Sequence, residues 1–272
     1  MRVPKHVLFI ASFATSLLTG CADRPELITQ APQSGEQLAA AVTTLYLPDY
    51  TGDAADKRPP LTENGVTYRS AYSVRTTYDY DEAQRLIRER HTDLDRPADP
   101  YAKNRSQRYT FVDDRTMRQT NLGFSEQPFA EFNFTLNERG LVSTDRTYDA
   151  DGYKLTDGPT TRTVRSGNVT RETRTDGSST LTTDYEYQQA PNTLPDPLRV
   201  FNGTPNRNRL ARAVRTPSPI TPNTVYARIV TTYTYRTDQQ GRITECSARD
   251  EFFPAQGGSP GQTITVTQYS YR

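Results

Sequence analysis

Tryptophan is absent from this 272-residue chain and only 33% of its residues are hydrophobic, so a thick apolar core is hard to build. Histidine occurs at His6 and His91 alone, which leaves no basis for a multi-histidine metal site. Cysteine is as scarce, at Cys21 and Cys246. Lysine and arginine (33) nearly balance aspartate and glutamate (32), and a formal charge of +1 gives no electrostatic case for nucleic acid, whose partners show a basic excess. The glycine-rich QGGSPG at 256–261 lacks the Lys-Ser/Thr ending of a phosphate loop and reads as a hairpin connection.

What is present begins with the first twenty residues, MRVPKHVLFIASFATSLLTG. Arg2 and Lys5 precede an apolar run from Val7 to Leu18, the layout of a secretory signal and too short to span a membrane. Leu18-Thr19-Gly20-Cys21 resembles the lipobox of bacterial lipoproteins. That resemblance implies lipidation of the Cys21 thiol, cleavage before it, and attachment to the membrane through acyl chains, each buried methylene contributing about 0.8 kcal/mol. Ala22, where an aspartate would favour retention in the inner membrane, implies the outer membrane. Cleavage would remove Arg2 and Lys5 and no acid, taking the formal charge from +1 to −1. A lipidated Cys21 would leave Cys246 without an intramolecular partner, so no structural disulfide is expected, and Cys246 reads as a packed or half-exposed residue.

The polar stretch 21–45, opening ADRPELITQAPQSGEQLAA after Cys21, reads as a tether, with a short helical turn allowed near Gly35 to Ala41. The remainder, 46–272, reads as one domain. Seventeen tyrosines, ten phenylalanines and abundant threonine are β-formers suited to a half-solvated pleated surface. From about Val66 the chain alternates between turns and strand-like segments. In VYARIVTTYTY, Val225, Ala227, Ile229, Thr231, Tyr233 and Tyr235 share one face and Tyr226, Arg228, Val230, Thr232 and Thr234 the other.

The segments repeat. TTYDYDEAQRLIRE (76–89), EFNFTLNERGLVSTD (131–145), RTYDADGYKLTDG (146–158) and TTYTYRTDQQGRITE (231–245) share one plan. An aromatic strand end runs into a polar turn, a glycine follows, and a basic or bulky residue precedes an aliphatic one. Gly140, Gly152 and Gly241 would supply the turn conformation that other residues resist. The first unit carries Ala83-Gln84 where glycine is expected, so DEAQRLIRERHTDL could instead be a short helix. The plan resembles the YD repeats of Rhs-type proteins. It is more closely similar to bacterial surface lipoproteins of unknown function built from degenerate copies of such hairpins. That similarity rests on RSGNVTRETRTDGSSTLTTDYEYQQAPN (165–192), which turns at Asp176-Gly177 and returns to Tyr185-x-Tyr187, and on TPNRNRLARAVR (204–215). It implies an antiparallel meander and an envelope location, and no reaction.

Catalytic constellations are sparse. His91 sits among Arg88 and Arg90 and reads as a solvated strand or helix residue. DADG at 149–152 suggests a calcium loop, but Thr147 stands at the first ligand position and Gly158 where a bidentate Glu belongs, so a tight turn explains it. Asp113-Asp114 and Asp93/Asp95 could pair for glycoside hydrolysis, which needs carboxyls on two sides of a sugar bond. Tyr185, Tyr187, Tyr233 and Tyr235, with Tyr269 and Tyr271, form a candidate binding surface or the repeat's own core.

The sequence therefore gives these expectations. The fold is all-β, an antiparallel meander of repeated β-hairpins forming a large twisted sheet or open half-barrel. The function is that of a non-enzymatic envelope lipoprotein, structural or ligand-binding, with no cofactor and no catalytic or metal residues. Its partners are the membrane, through lipid on Cys21, and a glycan or envelope protein. The alternative is a secreted carbohydrate-active enzyme or its glycan-binding accessory protein.

Overall fold

The computed structural model describes residues 37–96, 105–123, 126–194, 196–221 and 224–272, all within the compact unit Pro32–Arg272. The signal segment, Cys21 and the tether up to residue 36 lie outside the described residues. Sixteen strands form one antiparallel sheet. The first seven are β1 (Leu38–Pro48), β2 (Leu61–Glu63), β3 (Val66–Tyr80), β4 (Leu86–Asp93), β5 (Arg105–Asp113), β6 (Thr116–Leu122) and β7 (Pro128–Thr135). Short strands β8 (Arg146–Tyr148), β9 (Lys154–Asp157) and β10 (Thr160–Arg165) lead to β11 (Asn168–Asp176) and β12 (Ser179–Pro191). One helical turn, α1 (Arg199–Asn202), precedes β13 (Asn208–Ser218), β14 (Tyr226–Thr237), β15 (Ile243–Pro254) and β16 (Gly261–Tyr271).

The spatial order is β7-β6-β5-β4-β3-β1-β16-β15-β14-β13-β12-β11-β10-β9-β8, with β2 on β3. Sequential strands are neighbours from β2 to β7 and from β8 to β16, and the first strand pairs with β3 and with the last, from Leu38↔Tyr271 to Tyr46↔Ile264. The ladder is interrupted between β7 and β8, so the sheet is open at one seam. There the chain crosses by residues 136–145: Thr135 O accepts from Ser143 N (2.8 Å), and Leu136 bridges Val142. The expected all-β antiparallel meander is the fold. Two expectations are corrected. Residues 38–45, assigned to the tether, form most of β1, and the helical turn near Gly35 to Ala41 gives way to strand from Leu38. Burial of Leu38, Ala41, Thr44 and Tyr46 between two flanking strands outweighs the low β-propensity of the alanines.

Four turns are copies of one five-residue device, at Asp81–Arg85, Asn137–Leu141, Asp149–Tyr153 and Asp238–Arg242. In each, the first N–H donates to the fifth carbonyl at 2.8–3.0 Å and the fourth N–H to the first carbonyl at 2.9–3.1 Å. The fifth N–H donates to the side-chain oxygen of the first residue at 2.8–3.0 Å. A short Asp or Asn is needed there because its oxygen must curl back onto the turn's own backbone. The fourth residue has φ between 63° and 86°, and it is Gln84, Gly140, Gly152 or Gly241. The first unit is therefore a hairpin, not a helix, and Gln84 occupies the left-handed position that glycine fills elsewhere. Residues 165–192 form the expected hairpin as β11 and β12.

A left-handed residue with a Cβ costs about 1–2 kcal/mol, and glycine returns about 0.5–1 of that as backbone entropy. Gln84→Gly is expected to stabilise the chain by about 0.5–1 kcal/mol, seen as a higher urea midpoint with unchanged slope. No gain, or a loss, would show that the Gln84 side chain, which bonds Gln37 at the surface, outweighs the backbone strain.

Candidate functional site

The sheet has two unlike faces. Directly paired residues share a face, and the row Tyr185–Ala213–Thr231–Asp250 runs across β12 to β15. A second row, Tyr235–Cys246–Thr267–Thr43–Val74, continues through β16, β1 and β3. Tyr187, Tyr233, Tyr269 and Tyr78 fall on this same face, which is the more buried one. The four sequence-predicted tyrosines are thus brought together. Three hydroxyls at the strand ends repeat one bond to the neighbouring strand's backbone: Tyr187 to Val169 O (2.6 Å), Tyr235 to Leu210 O (3.0 Å) and Tyr271 to Ile243 O (2.7 Å). Their rings fill the inner face while each polar tip is satisfied, as a buried phenol requires. Tyr185 and Tyr233 neighbour them, with Arg215 beside Tyr233. The inner face is also polar at its margins, where Arg162 pairs with Glu172 at 2.8 Å and Thr231 bonds Asp250.

At the end of the sheet carrying the five-residue turns, this face is covered by a strap, described over residues 192–194 and 196–207, that no motif in the sequence singled out. Phe201, 4% exposed, packs with Leu86, Tyr109, Met117, Leu136 and Val142, its ring 5.2 Å from that of Tyr109. The strap is tied to successive turns. Thr193 Oγ1 donates to Gly241 O (3.3 Å), Val142 N to Phe201 O (3.0 Å), Thr204 N to Gly152 O (2.9 Å) and Arg207 N to Gly167 O (2.8 Å). Gly203, at φ 98°, passes so close to Tyr148 that a Cβ would sit 2.6 Å from Gly152 O and 2.8 Å from the tyrosine ring. The signal for the strap was its length and its lack of alternation between two long strands.

The other candidates are scattered. Asp113 caps Arg115 N in the β5–β6 turn, at the strap end. Asp93, 2% exposed, caps Asp95 N and Arg96 N at the opposite end of the sheet, where Asp95 takes Ser73 N and Arg58. The two acid pairs do not converge on one cleft. His91 lies on β4, half-buried, 3.0 Å from Glu89 and 3.1 Å from the Thr76 hydroxyl. Asp149 in DADG caps its own turn, and Arg139 donates to the carbonyls of Asp149 and Ala150. Residues 255–260 join β15 to β16. Among the described residues, no three His, Cys, Asp or Glu stand together as a metal group. Cys246 is a free, half-buried thiol facing Tyr235, and burial pushes it up to about 11.

No protein-family model matches the chain, and no curated protein matches it. The solved structures similar to it include two porin-like proteins. One, a porin-like protein from Bacteroides uniformis, is 13% identical over 86% of this chain and 98% of its own, with a TM-score of 0.47. The other, a porin-like protein from Bacteroides vulgatus, is 10% identical over the same shares, with a TM-score of 0.26.

Truncating Phe201 opens a cavity under the strap, and Phe201→Ala is expected to cost about 3–5 kcal/mol in chemical denaturation. A loss below about 1 kcal/mol would mean that the strap is not seated on the inner face in solution. Burial also lifts the phenols of Tyr78, Tyr109, Tyr187, Tyr235 and Tyr269 well above their ordinary 10.0, and that of Tyr80 to about 12. A group harder to ionise when folded leaves stability intact below its unfolded pKa and withdraws it as pH rises towards the folded one. Unfolding free energy is therefore expected to be level in this respect up to about pH 10 and to fall towards pH 12. Ultraviolet titration showing ordinary phenol ionisation in the folded chain would contradict this.

Proposed function

We propose that the chain is a non-enzymatic lipoprotein of the bacterial cell envelope, held by lipid on Cys21 at the outer membrane and presenting its sheet to water as a structural or ligand-binding surface. The observation that carries this reading is the apolar run Val7–Leu18 closing on Leu18-Thr19-Gly20-Cys21. The fold adds support through its outer face, which is laced with ion pairs between adjacent strands: Arg171–Asp184 (2.6 Å), Arg212–Glu186 (2.7 Å), Arg236–Glu245 (3.4 Å) and Arg90–Asp79 (2.6 Å). A strand face turned to lipid needs an apolar band about 25 Å tall, and an arginine near its middle costs about 2–4 kcal/mol. This face has the opposite character. The sheet is therefore suited to water, and the membrane contact falls to the N-terminal lipid. The inner tyrosine face, rigid and amphipathic, is the surface suited to a glycan or an envelope protein.

Intact mass and membrane fractionation of the wild type and Cys21→Ser test the reading. The mature wild type is expected to begin at a diacylglyceryl-modified Cys21 and to need detergent for release, and the variant to stay unprocessed or lose the modification. A wild type of unmodified mass found in the soluble fraction, or a detergent-requiring mature Cys21→Ser chain, would overturn it.

A further inference from the structure

We propose that a cleft between β4 and β5 is a binding site for a phosphate monoester carried on a body the size of a sugar. The two strands pair over four rungs only, from His91↔Arg105 to Arg88↔Arg108. Beyond Arg88 they part, although β4 stays on β3 up to Tyr80↔Leu86 and β5 stays on β6 up to Asp113↔Thr116. The parting opens a cleft of about 490 Å³, within the range that holds small ligands. Four arginines line it, Arg85, Arg88, Arg90 and Arg108, against two aspartates, Asp79 and Asp81.

The aspartates are committed. Asp81 holds Arg85 at 2.8 Å, and the Arg85 guanidinium carbon lies over the Phe111 ring, 4.0 Å from its centre; Asp79 holds Arg90 at 2.6 Å. Arg88 is steered by Ser106 Oγ (3.3 Å) and by Glu126 from the β6–β7 connection. Arg108 is exposed and, among the described residues, has no hydrogen-bond or ion-pair partner. It stands directly across from Arg88, and since Glu126 already balances Arg88, Arg108 is the uncompensated cation of the lining among the described residues. Against the three carboxylates of Asp79, Asp81 and Glu126, the four arginines leave one positive charge over, at Arg108, and a phosphate monoester, which carries between one and two negative charges at neutral pH, supplies the missing anion. Guanidinium forks suit its oxygens, and Thr110 and Phe111 also line the cleft, beside the space for the attached body.

Titration of the full chain with glucose 6-phosphate, with glucose as control, and co-sedimentation with phosphatidylcholine vesicles with and without phosphatidic acid, test the site. The comparisons are between variants sharing one N-terminus, so they hold whether or not Cys21 is lipidated. Saturable glucose 6-phosphate binding is expected, weakened at least about tenfold by Arg108→Ala, less by Arg108→Lys, and unchanged by Arg171→Ala on the distant part of the outer face. Dependence on Arg108 with phosphatidic acid vesicles alone would support the same chemistry and assign its source to a lipid headgroup. Absence of saturable binding to either probe, or equal losses in Arg108→Ala and Arg171→Ala, would overturn the proposal.

Discussion

The pairing of β1 with β16 is the constraint on which the sheet depends. Every other rung along the meander joins strands linked by a hairpin, a short connection or the strap, whereas this one joins the two ends of the described chain and so unites the β3–β7 arm with the β15–β8 arm. Its register is fixed from both faces. Thr43 meets Thr267 across the inner face at 3.1 Å, while Tyr46 and Ile264 pack with Tyr68 on the outer one, under β2 and Leu61. A slip of one residue would turn Tyr269 and Tyr271 out to solvent and Ile264 in among the tyrosines. Two small apolar clusters on opposite faces therefore do what one central core does in a thicker fold.

A sheet this poor in aliphatic residues needs its polar groups satisfied locally, and the repeated devices supply that. Each five-residue turn closes on its own Asp or Asn, and each Tyr-x-Tyr strand end on β12, β14 and β16 returns a hydroxyl to the backbone of the preceding strand. A buried carbonyl left without a partner would cost on the order of 1–3 kcal/mol, so these bonds are best understood as the condition for burying tyrosine at all. The same economy explains the strap. Phe201 and Leu198 bring apolar surface to the one end of the inner face where Tyr78, Tyr80 and Tyr109 gather.

Much of this could be read in the sequence because hairpins are local. The alternation in residues 225–235 gave the faces of β14, and the four repeated segments marked the four identical turns. Where one turn departed, the missing glycine left strand and helix undecided at Gln84; the Asp81 side chain and the flanking strands settle it, and neither acts through propensity. The tether boundary was misplaced because LAAAVTT has no strong β signal, and its strand character comes from partners at the far end of the chain. The tyrosine cluster was legible as a face, but its covering was not, since which loop folds over a sheet depends on contacts of high sequence separation. The β4–β5 cleft was hidden for the same reason: nothing in the two strand sequences says where their ladder stops.

The open seam bears on where such a sheet can live. In hydrocarbon an unpaired strand edge is prohibitive, so membrane-spanning sheets close completely. Here the ladder stops between β7 and β8, and the edges are managed as soluble proteins manage them: β8 is three residues long, β7 opens with Pro128, and residues 136–145 fold back to give Thr135 a partner. These devices tolerate water and are of no use against lipid. Together with the ion pairs of the outer face, they argue for a sheet solvated on its outside and at its seam. An attachment to the membrane would then have to come from outside the sheet, which is the role that acyl chains on Cys21 would fill.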